Sequence, residues 1–325
     1  MRRRDFIAGL GSAAAPPFAL RAQQPAVPVV GYLSAGSPDV FAERLRAFRQ
    51  SLQQAGFVEG RNVAIEYRWA GDDLDRLPTL AADLAHRPVT VIAAFGGING
   101  SLAAKAATTT IPIVFGTGED PIATGLVASL SRPGGNLTGA VTLGVEVSPK
   151  RLQLMHEIVP TGTVGVLVNP TRPRADRIEV SIRNAARSLG RRIHVLSASN
   201  EREIDVAFAN LAQLRIGSLV IGNDAYFNSR AKQFGEATSR YGVPTIYQFR
   251  EFVAAGGLMS YGSAITDTYR IVAAYVGRIL KGEKPSDLPV QQSTKIELLI
   301  NMKTAKALDL MVPQSILLRA DEVIE

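Results

Sequence analysis

Cysteine is absent from this chain of 325 residues. Disulfides, thiol nucleophiles, cysteine-ligated metals and a lipid anchor on an N-terminal cysteine are therefore all excluded. Histidine is scarce: His86, His156 and His194 stand far apart, and no HExxH or similar spacing occurs, so no metal site is expected. No apolar run is long enough for a membrane-spanning helix. The chain also lacks a G-x-S-x-G elbow, a P-loop and a G-x-G-x-x-G at the first strand-to-helix turn. Ser34 has no histidine at a strand end to act as its base, and Glu119 and Asp120 are adjacent in sequence. No catalytic residue and no cofactor are expected.

What is present suits a large globular protein. The hydrophobic fraction is 46% and the charged fraction 20%, which argues for a packed core and against disorder. The formal net charge is +7, of which Arg2, Arg3, Arg4, Arg21 and Asp5 in the first 22 residues contribute +3, leaving +4 for the remainder. That excess is spread along the chain without interleaved aromatics, so no nucleic-acid partner is expected. The first 22 residues themselves read as an export signal. Arg3-Arg4-Asp5-Phe6-Ile7 fits the twin-arginine pattern, and a short Ala/Gly-rich apolar run follows. Cleavage is expected near Ala22.

From residue 27 the pattern alternates strand and helix. Strands are predicted at 27–33, 63–69, 89–95 and 111–115. Between them lie a helix with Phe41, Leu45, Phe48 and Leu52 at helical spacing, a second at 77–84, and a small-residue helix at 98–107. Arg44, Arg46 and Arg49 on the first helix are expected to form a solvated face. After the strand at 111–115, Gly116-Thr117-Gly118 meets Glu119-Asp120-Pro121. An acidic N-cap and a proline at the first helical position predict a helix carrying Ile122, Leu126, Val127 and Leu130. Pro133-Gly134-Gly135-Asn136 is turn chemistry, leading to an expected hinge strand over 139–143.

The alternation then restarts. Strands are predicted at 164–168, 193–196, 218–221, 245–247 and 258–261, with helices at 150–158, 178–189, 204–214, 227–241 and 249–254. Two consecutive βα units of similar size imply an α/β fold of two Rossmann-like lobes with parallel sheets. The tail adds a long helix at 265–280, extended pieces at 288–290 and 297–301, and helices at 303–308 and 314–319. It is expected to pack on both lobes. The division expected is 27–141 with 262–292 for one lobe and 142–261 with 293–325 for the other.

Open parallel sheets bind ligands beyond the carboxyl ends of their strands. The residues at those ends are Ser34, Gly96, Gly97, Thr117, Gly118 and Asp120 in the first unit. In the second they are Asn169, Asn223, Asp224, Tyr247 and Tyr261, with Ser197 beside them. Hydroxyls, amides, glycines and carboxylates suit binding better than turnover. A ligand ammonium would suit Asp120 or Asp224, and a ligand carboxylate would suit backbone N–H groups at the helix N-termini beside Ser34 and Gly96-Gly97.

Several stretches carry a resemblance. GYLSAGSP (31–38), LRAFRQSLQQAGFVEGRNVAIEYRWA (45–70), DPIATGLVASLSRPGGNLTG (120–139), VLVNP (166–170), REFVAAGGLMSYG (250–262) and YVGRILKGEKPSDLPVQQSTK (275–295) resemble ABC-transporter substrate-binding proteins of the tryptophan/tyrosine-type group. The resemblance implies a periplasmic-binding fold of type I, joined by a multi-strand hinge and closing on a solute. It implies no catalysis, a small polar or amphiphilic solute such as an amino acid or aromatic acid, and an inner-membrane ABC permease as partner. A monomer free in the periplasm is expected. Two other classes compete. A transcriptional sensor of the same fold needs an N-terminal DNA-binding domain of about sixty residues. An exported α/β enzyme needs an acid–base pair near Ser34 or Asp120.

Overall fold

The computed structural model describes residues 27–142, 147–171 and 175–325. The expected export signal lies outside the described residues, as does Leu143 of the expected hinge strand. The first unit runs β1 (Val29–Ser34), α1 (Ala42–Gln54), β2 (Ala64–Trp69), α2 (Leu77–Ala85), β3 (Val91–Ala94), α3 (Gly97–Ala107), β4 (Ile113–Thr117) and β5 (Leu137–Thr142). The second runs α4 (Ser148–Ile158), β6 (Thr163–Val168), α5 (Ala175–Ser188), β7 (Ile193–Ser197), α6 (Glu201–Ala209), β8 (Ile216–Ile221), α7 (Ala225–Ser229), α8 (Ala231–Tyr241), β9 (Thr245–Tyr247), α9 (Arg250–Ala254) and β10 (Met259–Ser263). The tail contributes α10 (Ile265–Leu280), β11 (Gln291–Ser293), β12 (Ile296–Asn301), α11 (Met302–Ala307), α12 (Gln314–Leu317) and β13 (Glu322–Ile324).

Two sheets result. The first has the order β11-β5-β4-β3-β1-β2 and its paired strands are parallel. The second has the order β13-β12-β10-β9-β8-β6-β7, with β12 antiparallel to β10. The central strands β3, β4 and β5 are buried along their whole length, as a sheet covered by helices on both faces requires. Strand order reverses between β1 and β3 in the first sheet and between β6 and β8 in the second. Those are the two points where a crevice opens at the carboxyl ends. The chain passes between the sheets after β5, between β10 and α10, and between β11 and β12.

The tail ties both sheets. One face of α10 buries Tyr269, Val272, Ala273 and Val276 against Tyr32, Phe48 and Val114 of the first sheet's core. Burying side chains the size of Val272, Val276 and Phe48 contributes on the order of 1.5–3 kcal/mol each. In the second sheet the fully buried Arg151 of α4 donates from Nε to the Tyr261 carbonyl at 2.9 Å and from Nη1 to the Ile221 carbonyl at 3.4 Å. It thereby pins β10 and β8 to one helix.

Four sequence expectations change. The helix expected after Asp120 is a single turn. Asp120 does cap it, accepting from the Ile122 and Ala123 N–H groups at 2.9 and 3.0 Å. Gly125, at φ 73°, then ends it, and Lys105 of α3 donates to the Gly125 and Leu126 carbonyls. Ile122 and Leu130 are left exposed. The helix expected over 227–241 breaks at Arg230 into α7 and α8. The tail strand is β11 at Gln291–Ser293 rather than the extended 288–290, because Gln291 to Ser293 pair with Ala140 to Thr142 of β5. Arg44 is buried, 4% exposed, while Arg46 and Arg49 remain on the solvent face of α1.

Residues 139–142 of the expected hinge strand lie within β5, and Gly139 is required there. A Cβ at this position would sit 2.2 Å from the Phe115 carbonyl oxygen and 2.7 Å from the Phe115 ring. Gly139→Ala is expected to destabilise the protein by about 1–3 kcal/mol, the usual cost of overpacking against backbone. The urea midpoint should fall accordingly; an unchanged midpoint would mean that β4 and β5 are less tightly packed.

Candidate ligand-binding site

A cavity lies between the carboxyl ends of the two sheets. The space open to the centres of water molecules is about 90 Å³. One water needs roughly 10–15 Å³ by that measure, so the cavity has room for a small organic molecule. On the side of the first sheet it is lined by Ala35 after β1, Phe95 to Asn99 after β3, Gly116 to Glu119 at the end of β4, and Thr142 of β5. On the side of the second sheet it is lined by Asn169 and Thr171 after β6, Asn223 to Ala225 after β8, and Asn228 and Phe249. Phe41, Arg44, Leu74, Ile265, Thr268 and Tyr269 complete it.

The second wall is a hydrogen-bonded polar set. Asn169 Oδ1 accepts from the Thr171 N–H and hydroxyl at 3.0 and 2.8 Å. Its Nδ2 donates to Asp224 Oδ1 at 3.3 Å, which also accepts from the Phe227 N–H at 3.0 Å. The Asp224 Oδ2 oxygen has no hydrogen-bond or ion-pair partner among the described residues, although the residue is only 7% exposed. A carboxylate oxygen left open on the wall of a cavity favours a ligand donor.

Across the cavity, α3 begins at Gly96 and Gly97, both with φ in the left-handed range, at 110° and 67°. A Cβ on Gly96 would lie 2.8 Å from the Ala35 backbone nitrogen, so glycine lets the turn pass close to β1. No side chain caps this helix, and its first turn lines the cavity. The opening N–H groups of a helix have no partner within it and carry the positive end of its dipole. An anion is favoured there. The two walls are close: a Cβ on Gly97 would lie 3.5 Å from the Ala225 Cβ, and one on Gly118 would lie 2.8 Å from Asn223 Nδ2.

The remaining wall is aromatic. Phe95 and Tyr269 are stacked with centroids 4.0 Å apart. The Arg44 guanidinium lies over the rings of Phe41 and Phe249, 4.3 and 5.3 Å from their centroids. Its Nε donates to Glu251 Oε1 at 2.7 Å, a pair that spans the two sheets' helices α1 and α9. Burial works against the Arg44 charge, but the Glu251 carboxylate and the Tyr269 hydroxyl outweigh it and raise the pKa above the ordinary arginine value. A second pair, Arg230 Nη1 to Asp72 Oδ2 at 3.6 Å, also bridges the units.

Gly96, Gly97, Thr117, Gly118, Asn169, Asn223 and Asp224 are thus brought together at one cavity. Ser34, Asp120, Tyr247 and Tyr261 are not. Ser34 is fully buried one position before Ala35, which takes its place at the wall. Asp120 is exposed and spends its carboxylate on the turn after it. Tyr247 stacks on Phe252 in the second sheet's core, its hydroxyl 2.5 Å from the Thr238 hydroxyl. Tyr261 packs against that sheet's other core cluster. Among the described residues no group of three or more His, Asp and Glu could hold a metal ion. No helix among them is long and apolar enough to cross a membrane.

The profile of a family described as ABC transporter substrate binding protein matches residues 27–324. The chain belongs to this family. A tyrosine-binding protein of Clostridioides difficile (strain R20291) is 26% identical over 268 residues, covering 82% of this chain and 76% of that protein. The structure of an ABC domain from Streptococcus pneumonia in complex with L-Trp is 21% identical with a TM-score of 0.82, covering 91% of this chain and 99% of that one. A ligand-free, open substrate-binding protein with adhesive properties from Clostridium difficile is 23% identical with a TM-score of 0.67, covering 92% and 99%. The fold is therefore the two-lobed type I periplasmic-binding fold. Contacts such as Gly118 against Asn223 make this a closed arrangement of the lobes. Among the cavity residues that strand-end reasoning does not reach are Phe41, Arg44, Phe249 and Tyr269. They come from helices and loops whose partners lie in the opposite unit or the tail.

Proposed function

We propose that this substrate-binding protein captures a zwitterionic amino acid with an aromatic side chain between its lobes and delivers it to an ABC importer. The observation that carries the reading is the pairing of opposite receptors across one cavity. The uncapped N-terminus of α3 favours a carboxylate, and Asp224 Oδ2 stands ready for an ammonium. Phe41, Phe95, Phe249 and Tyr269 supply the apolar surface for a ring. The similarity to a tyrosine-binding protein and to a chain crystallised with L-Trp supports the same class.

Each sheet with its covering helices is one lobe, and the crossings near residues 142, 264 and 294 form the hinge. The protein acts as a periplasmic monomer after removal of the N-terminal segment near Ala22. Its partner is an inner-membrane permease, and no bond in the solute is made or broken.

Thermal-shift screening of the twenty amino acids tests the reading. Ligand at 100 times its Kd stabilises by about 2.7 kcal/mol. One or more aromatic amino acids should raise the melting temperature, and calorimetry should give one site per chain. If no amino acid shifts the melting temperature, the reading fails.

A further inference from the structure

Arg44 is the cavity residue whose chemistry the head-group receptors leave unused. It is 4% exposed and lines the cavity, with two aromatic rings and a carboxylate against it. The Phe41 and Phe249 rings both lie against its guanidinium. Glu251 takes its Nε proton at 2.7 Å. Its Nη2 is buried and has no hydrogen-bond partner among the described residues. A buried guanidinium nitrogen without an acceptor is costly, and a ligand that supplies one is favoured over a ligand that does not.

The charge balance decides which acceptor. Arg44 and Glu251 already form a neutral pair. A second carboxylate brought to Arg44 would also meet Glu251, leaving a net negative charge in a largely dry site. A neutral oxygen accepts from Nη2 without that excess. The flanking Phe41, Phe249 and Tyr269 rings favour an aromatic carrier for that oxygen.

We propose that Arg44 is a specificity-determining residue, selecting amino acids whose ring bears a hydroxyl oxygen at the end remote from the head group. Glu251, from the opposite unit, is its positioning residue: its carboxylate holds Nε and fixes the guanidinium at the cavity wall. This rests on the amino-acid reading above.

The test is a calorimetric comparison of L-tyrosine and L-phenylalanine on the wild-type protein, Arg44→Met and Arg44→Lys. The readout is the ratio of the two affinities, which a merely structural role would not move. The wild type should prefer tyrosine by about tenfold or more, the scale of one hydrogen bond to a charged group. Both variants should reduce the ratio to within about threefold; Arg44→Lys keeps a cation for Glu251 and guards against a folding defect in Arg44→Met. Wild-type protein that binds both amino acids equally would overturn this proposal and leave the parent reading intact. So would a tyrosine preference that survives in a folded Arg44→Lys protein. Wild-type protein that binds neither would overturn this proposal, and the parent reading falls with it only if the thermal-shift screen finds no other amino acid bound.

Discussion

Asp224→Asn is expected to weaken amino-acid binding by roughly 30- to 150-fold, the equivalent of about 2–3 kcal/mol for a charge-assisted bond to a buried carboxylate. The substitution is chosen for what it keeps. An asparagine oxygen can still accept from the Phe227 N–H and from Asn169 Nδ2, as Asp224 Oδ1 does now at 3.0 and 3.3 Å. The start of α7 and the polar wall should therefore survive. Only the negative charge facing the ligand ammonium is lost. Calorimetric affinity and the melting temperature of the free protein separate the two effects. A folded variant with unchanged affinity would show that the ammonium is held elsewhere.

Gly118→Val should have an effect of similar size by a different route. In the closed arrangement a Cβ at Gly118 would lie 2.8 Å from Asn223 Nδ2 and 3.0 Å from Thr142 Oγ1. Asn223 belongs to the opposite sheet's strand ends, so that part of the clash appears on closure, whereas Thr142 lies on the neighbouring strand of the same sheet. Two further methyl groups leave it no easy relief, because Asn223 and Thr142 are both buried. At about 1–3 kcal/mol for overpacking, the closed state should be disfavoured by roughly 5- to 150-fold and apparent affinity should fall with it. Small-angle scattering should show the wild type contracting on addition of ligand and the variant staying extended. Normal contraction in the variant would mean that the lobes meet with more clearance than these distances imply.

Gly118 and Asp224 were both legible in the sequence, and the reason is topological. Parallel strands alternating with helices fix where carboxyl ends lie, and turn residues after apolar strands mark those ends. Position along the sheet was harder. Asp120 and Asp224 carry the same signal, an acidic cap after a strand and a glycine. Asp224 follows β8 at the point where strand order reverses, whereas Asp120 follows β4, beyond that point in its sheet, and faces solvent. Strand order is set by long-range pairing that no local pattern encodes. Tyr247 and Tyr261 failed for another reason. Tyr247 ends β9 but its side chain takes the core face of the sheet, and Tyr261 lies mid-strand because β10 runs on to Ser263.

Arg44 was the least legible. Its spacing on α1 places it at the edge of the apolar stripe, and an arginine there ordinarily reaches solvent. It is buried because Phe249 and Glu251 of the other lobe come down on it. The helix expected after Asp120 failed locally. Its start signals were real, but Gly125 in the left-handed region and the Lys105 bond to the following carbonyls end it within a turn.

A crystal structure of the protein grown with L-tyrosine tests the central claim most directly. The ligand should lie in the cavity between the lobes, its carboxylate at the Gly96–Gly97 start of α3 and its ammonium within hydrogen-bond distance of Asp224 Oδ2. Tyrosine bound outside the cavity, or bound within it with neither head-group contact made, would contradict the account.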